Sequence, residues 1–161
     1  MSLAKNDRIY FRKKVMEIID LPEIRIIDQF VQHGNVTCLD HCIAVSYLSF
    51  CLCKKLRIKV DFESLIRGAL LHDYFLYDWH IKDKNRPLHA FYHPKCAYKN
   101  ARKVFDLTEI EKDIILKHMW PLTLSVPSYK EAFIVCIADK ICSVVETFHG
   151  HYLLPRFARE R

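Results

Sequence analysis

The stretch LIRGALLHD, residues 65–73, decides how this chain is read. Leu65, Gly68, Ala69 and His72 stand at positions i, i+3, i+4 and i+7, which line one face of a helix. Asp61 is the N-cap expected for a helix over 62–75. An apolar stripe of this kind faces a core, so the imidazole of His72 is carried inward with it. Gly68, one turn earlier, costs about 1 kcal/mol of helix propensity, a cost explained if another backbone or a ligand comes close to that imidazole.

Working outward, Ile9, Val15, Met16 and Ile19 recur at helical intervals from Arg8 and stop before Pro22, and a short second helix is expected after it. Thr37, with Asp40 three residues on, announces a heavily apolar central helix to about residue 56. The segment YDWHIKDKNRPLHAFYH, 77–93, reads as an irregular crossing, and Pro94 as the first residue of a helix to about 105. Thr108 with Glu111, and Ser128 with Glu131, are capping boxes that start helices to about 119 and 148. With only 3 Gly and 6 Pro in 161 residues and no repeat, a turn-rich β-sandwich, a solenoid and disorder are disfavoured. The expectation is an all-α fold: one compact helical bundle of five to seven helices spanning 1–161, with a core over about 24–148 and a basic C-terminal tail, 149–161.

Polar residues interrupt these apolar stripes at a few places. His41 shares a face with Val45, Leu48 and Leu52; Asp139 continues the line of Ala132, Val135 and Cys136; His118 follows Ile114 and Ile115; His93 stands just before Pro94. A carboxylate turned into a core costs several kcal/mol unless something positive meets it, and Asp73 and Asp139 both raise that problem. Each residue alone reads more readily as a hydrogen-bonded core group than as a ligand. Together, six imidazoles and carboxylates from five segments converge if the helices form one bundle, and a metal ion would satisfy them. Mixed nitrogen and oxygen donors suit Fe, Mn, Zn or Co rather than Ca or Mg.

The order His41, then His72-Asp73 closing LIRGALLHD, then Asp139 in VCIADKICS (135–143), resembles the H…HD…D signature of HD-superfamily phosphohydrolases. With His93 and His118 added, it resembles the six-ligand form found in HD-GYP phosphodiesterases, HD-type symmetric diadenosine tetraphosphate hydrolases and mixed-valent di-iron oxygenases. The resemblance implies an HD-type bundle holding two divalent transition metal ions. One ion would take His41, His72, Asp73 and Asp139, and the other His93 and His118 with Asp73 bridging. It further implies catalytic roles for Asp73 and His72 and a hydroxide nucleophile shared by the ions. Two departures stand out. Many relatives follow HD with Ile-Gly-Lys or Ala-Lys where this chain has Tyr74-Phe75, so that phosphate-binding lysine is missing, and the absent GYP motif weakens the case for cyclic di-GMP.

Phosphate contacts are therefore sought in Arg86, His80, His89, Lys95 and Lys140, whose other reading is surface solubility. Trp79, Tyr77, Phe91 and Tyr92 either stack on a base or pack the crossing onto the bundle. The insertion 76–92 is expected to select the substrate. The expected function is a metal-dependent phosphohydrolase acting on a small phosphate ester or anhydride, a nucleotide or dinucleoside polyphosphate. The alternatives are a di-iron oxygenase of the inositol-oxygenase-like group and a non-catalytic nucleotide-binding sensor.

The opening MSLAKNDRIYFRKKV has no sustained apolar run, so neither a signal peptide nor a membrane anchor is expected and the location is read as cytoplasmic. Seven Cys, several inside apolar helical runs, are expected to be reduced core residues rather than a disulfide framework. A formal net charge of +6 suits an anionic partner. No basic run interleaved with aromatics marks a nucleic-acid surface, so a small phosphorylated substrate is the expected partner; a homodimer is compatible with the composition.

Overall fold

The computed structural model describes residues 3–81 and 88–160. Helix α1 (Lys5–Ile19) leads through a single turn, α2 (Pro22–Arg25), and a 3-10 turn (Ile26–Gln29) to a small antiparallel hairpin, β1 (Val31–His33) and β2 (Val36–Thr37). Then follow α3 (Cys38–Leu56), α4 (Phe62–Leu71), α5 (His89–Ala101), α6 (Glu109–Lys117) and α7 (Lys130–His149). A 3-10 turn (Gly150–Leu153) and the single turn α8 (Arg156–Arg159) close the described chain. The fold is all-α, a compact helical bundle. Counting the two single turns there are eight helices among the described residues against the five to seven expected; six of them span nine residues or more.

Helix α3 packs on α4 and α7, α4 on α6, and α6 on both α5 and α7. Thr37 Oγ1 caps α3 by accepting from Asp40 N at 3.2 Å. Asp61 Oδ1 caps α4 by accepting from Glu63 N and Ser64 N. Helix α4 ends at Leu71, not near 75. His72 keeps helical φ/ψ as the C-cap, and the chain then turns inward, with every side chain from Leu71 to Phe75 buried. Gly68 serves helix packing: a Cβ there would sit 2.6 Å from Ile114 Cδ1, so its smallness lets α4 and α6 approach.

Two expected helix starts are corrected. Helix α5 begins at His89 and carries Pro94 inside it, ending at Ala101 rather than near 105. Keeping His93 in a turn that precedes the proline lets its Nδ1–H reach His89 O at 3.0 Å. The Thr108–Glu111 capping box forms in full, whereas the Ser128–Glu131 box does not. Asp113 of α6 instead accepts from the backbone N–H of Ser128 and Tyr129 at 2.7 and 3.0 Å, and Glu131, buried, accepts from Asp61 N. Groups from neighbouring elements satisfy the orphan donors that the local motif was expected to take.

The core is wider than 24–148. Phe11, Val15 and Ile19 of α1 belong to it, and so do Leu154 and Ala158 from the far end. The tail packs on the bundle: the Phe157 ring lies 6.2 Å from that of Phe11, and His151 Nε2 is 3.1 Å from Asp40 Oδ2. All seven cysteines are free thiols, six of them buried. Among the described residues no helix is long and apolar enough to cross a membrane.

Candidate metal centre

His41 comes from the second turn of α3, His72 and Asp73 from the break after α4, His93 from α5, His118 from the end of α6 and Asp139 from the middle of α7. All six side chains are buried. The four imidazoles are held alike. Nδ1–H donates to a fixed acceptor in each: Glu146 Oε2 for His41 (2.7 Å), Ala69 O for His72 (2.7 Å), His89 O for His93 (3.0 Å) and Ile115 O for His118 (2.9 Å). A carbonyl can only accept, so the Nε2 lone pairs are left pointing at one another, the tautomer that metal-ligating histidines need.

Around Asp73 the four rings fall into two pairs. Oδ2 faces His41 Nε2 at 3.8 Å and His72 Nε2 at 3.6 Å; Oδ1 faces His93 Nε2 at 3.1 Å and His118 Nε2 at 3.5 Å. Asp139 Oδ1 joins the first pair, 3.2 Å from His41 Nε2 and 3.8 Å from His72 Nε2. Two clusters able to hold a metal ion thus share Asp73: His41, His72 and Asp73, and Asp73, His93 and His118. The donor set fits divalent transition metal. His72 Nε2 and Asp73 Oδ1 are buried and make no hydrogen bond among the described residues, a costly state for a polar atom unless a cation uses the lone pair. His93 Nε2 and His118 Nε2 lie 2.7 Å apart, so only a cation, proton or metal, can sit between them.

Charge is coupled across the cluster. Burial works against charging His41, but the carboxylates of Glu146 and Asp139 outweigh it and raise its pKa to about 10. Burial is likewise overcome at His72 by Asp73, which raises it well above the usual value. Burial opposes ionisation of Asp73 and Asp139, yet the surrounding histidines hold both well below the usual carboxylate range. His118 is pushed down to about 3 by burial, with His72 and His93 adding to it, and stays neutral. In the metal-free protein the charged His41 stabilises the fold fully below its ordinary value of 6.5, and that contribution is lost as pH rises through about 10. An entering ion must displace the protons on His41 and His72, so metal affinity is expected to rise with pH up to about 10. Chelator competition at several pH values measures this; an affinity independent of pH would mean that these imidazoles are not ligands.

A cavity of about 460 Å³ opens onto the cluster, lined by Asp73, His93, His118 and Asp139 together with Gln32, Trp79, His89, Met119, Leu122, Lys140 and others. Of the expected substrate contacts, Lys140 and His89 line it, whereas Lys95 is exposed and does not. His80 is exposed and bonded to Asp78. Arg86 lies outside the described residues. The Lys140 Nζ donates to His118 O at 2.8 Å and stands 3.6 Å from Asp139 Oδ2. Trp79 is stacked on His80 (4.0 Å) and His89 (5.1 Å), and His89 on His93 (4.5 Å), so these rings brace the insertion against a metal-cluster histidine. Phe91 and Tyr92 are exposed and do not line the cavity.

Three residues of the site were not anticipated. Gln32 Nε2 donates to Asp73 Oδ2 at 2.6 Å, Ser143 Oγ to Asp139 Oδ1 at 3.4 Å, and Glu146 orients His41. Ser143 and Glu146 follow Asp139 by four and seven residues, so the helical period could have found both. Gln32 sits in a three-residue strand, which carries no periodic signal.

A helical bundle that brings histidines and aspartates from five segments around one shared carboxylate is a helical domain able to hold metal. The HD domain family model matches residues 38–143, well over half of the chain, and the chain belongs to the HD domain family. Searches of curated proteins and of solved structures gave no match.

Proposed function

We propose that this protein is a metal-dependent phosphohydrolase acting on a small phosphate ester or anhydride, a nucleotide or related compound. The observation that carries the reading is the placement of Asp73, whose two oxygens face different histidine pairs at the floor of a cavity of small-molecule size, within the range of about 300–1,000 Å³. The first ion would be held by His41, His72, Asp73 and Asp139, and the second by His93, His118 and Asp73. Bound ions would supply Lewis acidity, acidifying a water and neutralising charge on an attacked phosphoryl group.

The chain's own residues prepare the rest. Gln32 holds Asp73 Oδ2, and Glu146 holds the His41 ring, which fixes the donors before a substrate arrives. His41 and His72 are fully buried and absent from the cavity wall, so the substrate meets the cluster from the side of His93 and His118. Lys140 brings a positive charge to that edge, where a phosphoryl oxygen would lie, while Met119 and Leu122 offer an apolar wall to the organic part.

Protein purified without chelator is expected to contain transition metal and, with Mn or Co under strict anaerobiosis, to hydrolyse members of a panel of nucleotides, dinucleoside polyphosphates and simple phosphoesters, read by the products formed. An iron signal that changes with oxygen and substrate, with no hydrolysis, would replace this reading with the oxygenase. Metal and nucleotide binding without turnover would replace it with the sensor.

A further inference from the structure

Helix α7 presents the metal cluster with its inner face, and its outer face is the anomaly. From Ile137 to Phe148 its exposed residues are Ile137, Ile141, Val144, Thr147 and Phe148, with no charge among them; the half-exposed Lys140 flanks the stripe, and the exposed Lys130 and His149 stand at the two ends of the helix. Ile137 is 54% exposed, Ile141 40%, Val144 60% and Phe148 75%. A surface helix ordinarily turns charge to solvent, as α1 does with Lys5, Arg8, Lys13 and Glu17. An apolar stripe on the outer face of a helix is one that is ordinarily covered, and no described helix is suited to crossing a membrane.

We propose that this face is the interface of a homodimer in which α7 packs antiparallel against α7 of a second copy about a two-fold axis. Three observations point to the chain itself as the occupant. Residues 137, 141, 144 and 148 are spaced four, three and four, the rhythm of a two-helix seam. That spacing is also the same read in either direction, so an antiparallel image sets Ile141 against Val144 of the second copy and Ile137 against its Phe148, leaving no apolar residue unmatched. The stripe bears no charge, so a chain of net charge +6 can approach its own image here without like charges meeting, whereas a charged partner would find nothing to pair with.

These four side chains and Tyr152, 71% exposed just past the helix, present on the order of 500–600 Å², the upper end of the largest apolar patch on a typical monomer, a size that often marks an interaction site. A standard interface buries about 800 Å² per partner, and polar rim residues supply the difference. Antiparallel helices also bring opposite dipole ends together. Asp139 lies on the opposite side of α7 from the seam.

Sedimentation velocity of the intact protein across the micromolar range tests this. The native chain is expected to sediment as a dimer. Ile141→Glu and Val144→Lys, both at exposed positions, are each expected to sediment as monomers with unchanged circular dichroism and metal content, while Ile9→Glu, an exposed apolar site elsewhere, leaves the dimer intact. An equimolar mixture of Ile141→Glu and Val144→Lys chains is expected to recover the dimer, because the carboxylate introduced in one chain faces the ammonium introduced in the other only in the antiparallel register. A native monomer throughout the range, a dimer that both variants retain, or a mixture that stays monomeric would each overturn the proposal. None of these outcomes bears on hydrolysis, which is read separately.

Discussion

Asp73→Ala is expected to purify with neither metal ion and to lose phosphoester turnover by at least about a thousandfold, since the ions are asked to supply several kcal/mol of transition-state stabilisation and each 1.36 kcal/mol is tenfold in rate. The reason is geometric. No other side chain of the cluster faces both histidine pairs: Oδ2 stands within 3.8 Å of His41 and His72, and Oδ1 within 3.5 Å of His93 and His118. Removing the carboxylate leaves each pair without the negative charge that offsets an entering cation at that point, and leaves Gln32 without its acceptor. Elemental analysis of chelator-free protein, with circular dichroism to confirm the fold, checks the result. A variant that keeps a full metal complement would show that the two clusters are independent of Asp73.

His118→Ala is expected to behave differently, releasing about one metal equivalent and keeping the other. The first cluster retains His41, His72, Asp73 and Asp139 untouched, and Glu146 still holds His41. The second is left with His93 and one oxygen of Asp73, too few donors for tight binding. Turnover should fall by orders of magnitude although half of the metal remains, because a single ion cannot clamp both the attacking and leaving oxygens. Full metal content together with an unchanged rate would reduce His93 and His118 to a buried hydrogen-bonded pair and make the protein a single-metal one.

Much of this arrangement was legible in the chain. The helical period alone turned His41, His72, His118 and Asp139 inward, because a stripe that buries leucines and valines must bury whatever shares its face. What the period could not supply was the supporting shell. Gln32 reaches Asp73 across 41 residues and Glu146 reaches His41 across 105, and such contacts leave no trace in local spacing. Lys95 and Lys140 look alike in sequence, yet only Lys140 lines the cavity, since the side a lysine occupies on its helix is set by what packs beneath it.

By itself, then, the sequence determined the all-helical class, the order of the principal helices and the inward set of imidazoles and carboxylates, because periodicity, caps and charge burial act within a few turns of chain. Only the tertiary structure decided where helices begin when a distant group caps them better than a local one. Asp113 displaced the box at Ser128. It alone also decided that the two oxygens of Asp73 face different histidine pairs. Which atom faces which is fixed by the packing of five segments at once, a quantity no local stretch of sequence contains.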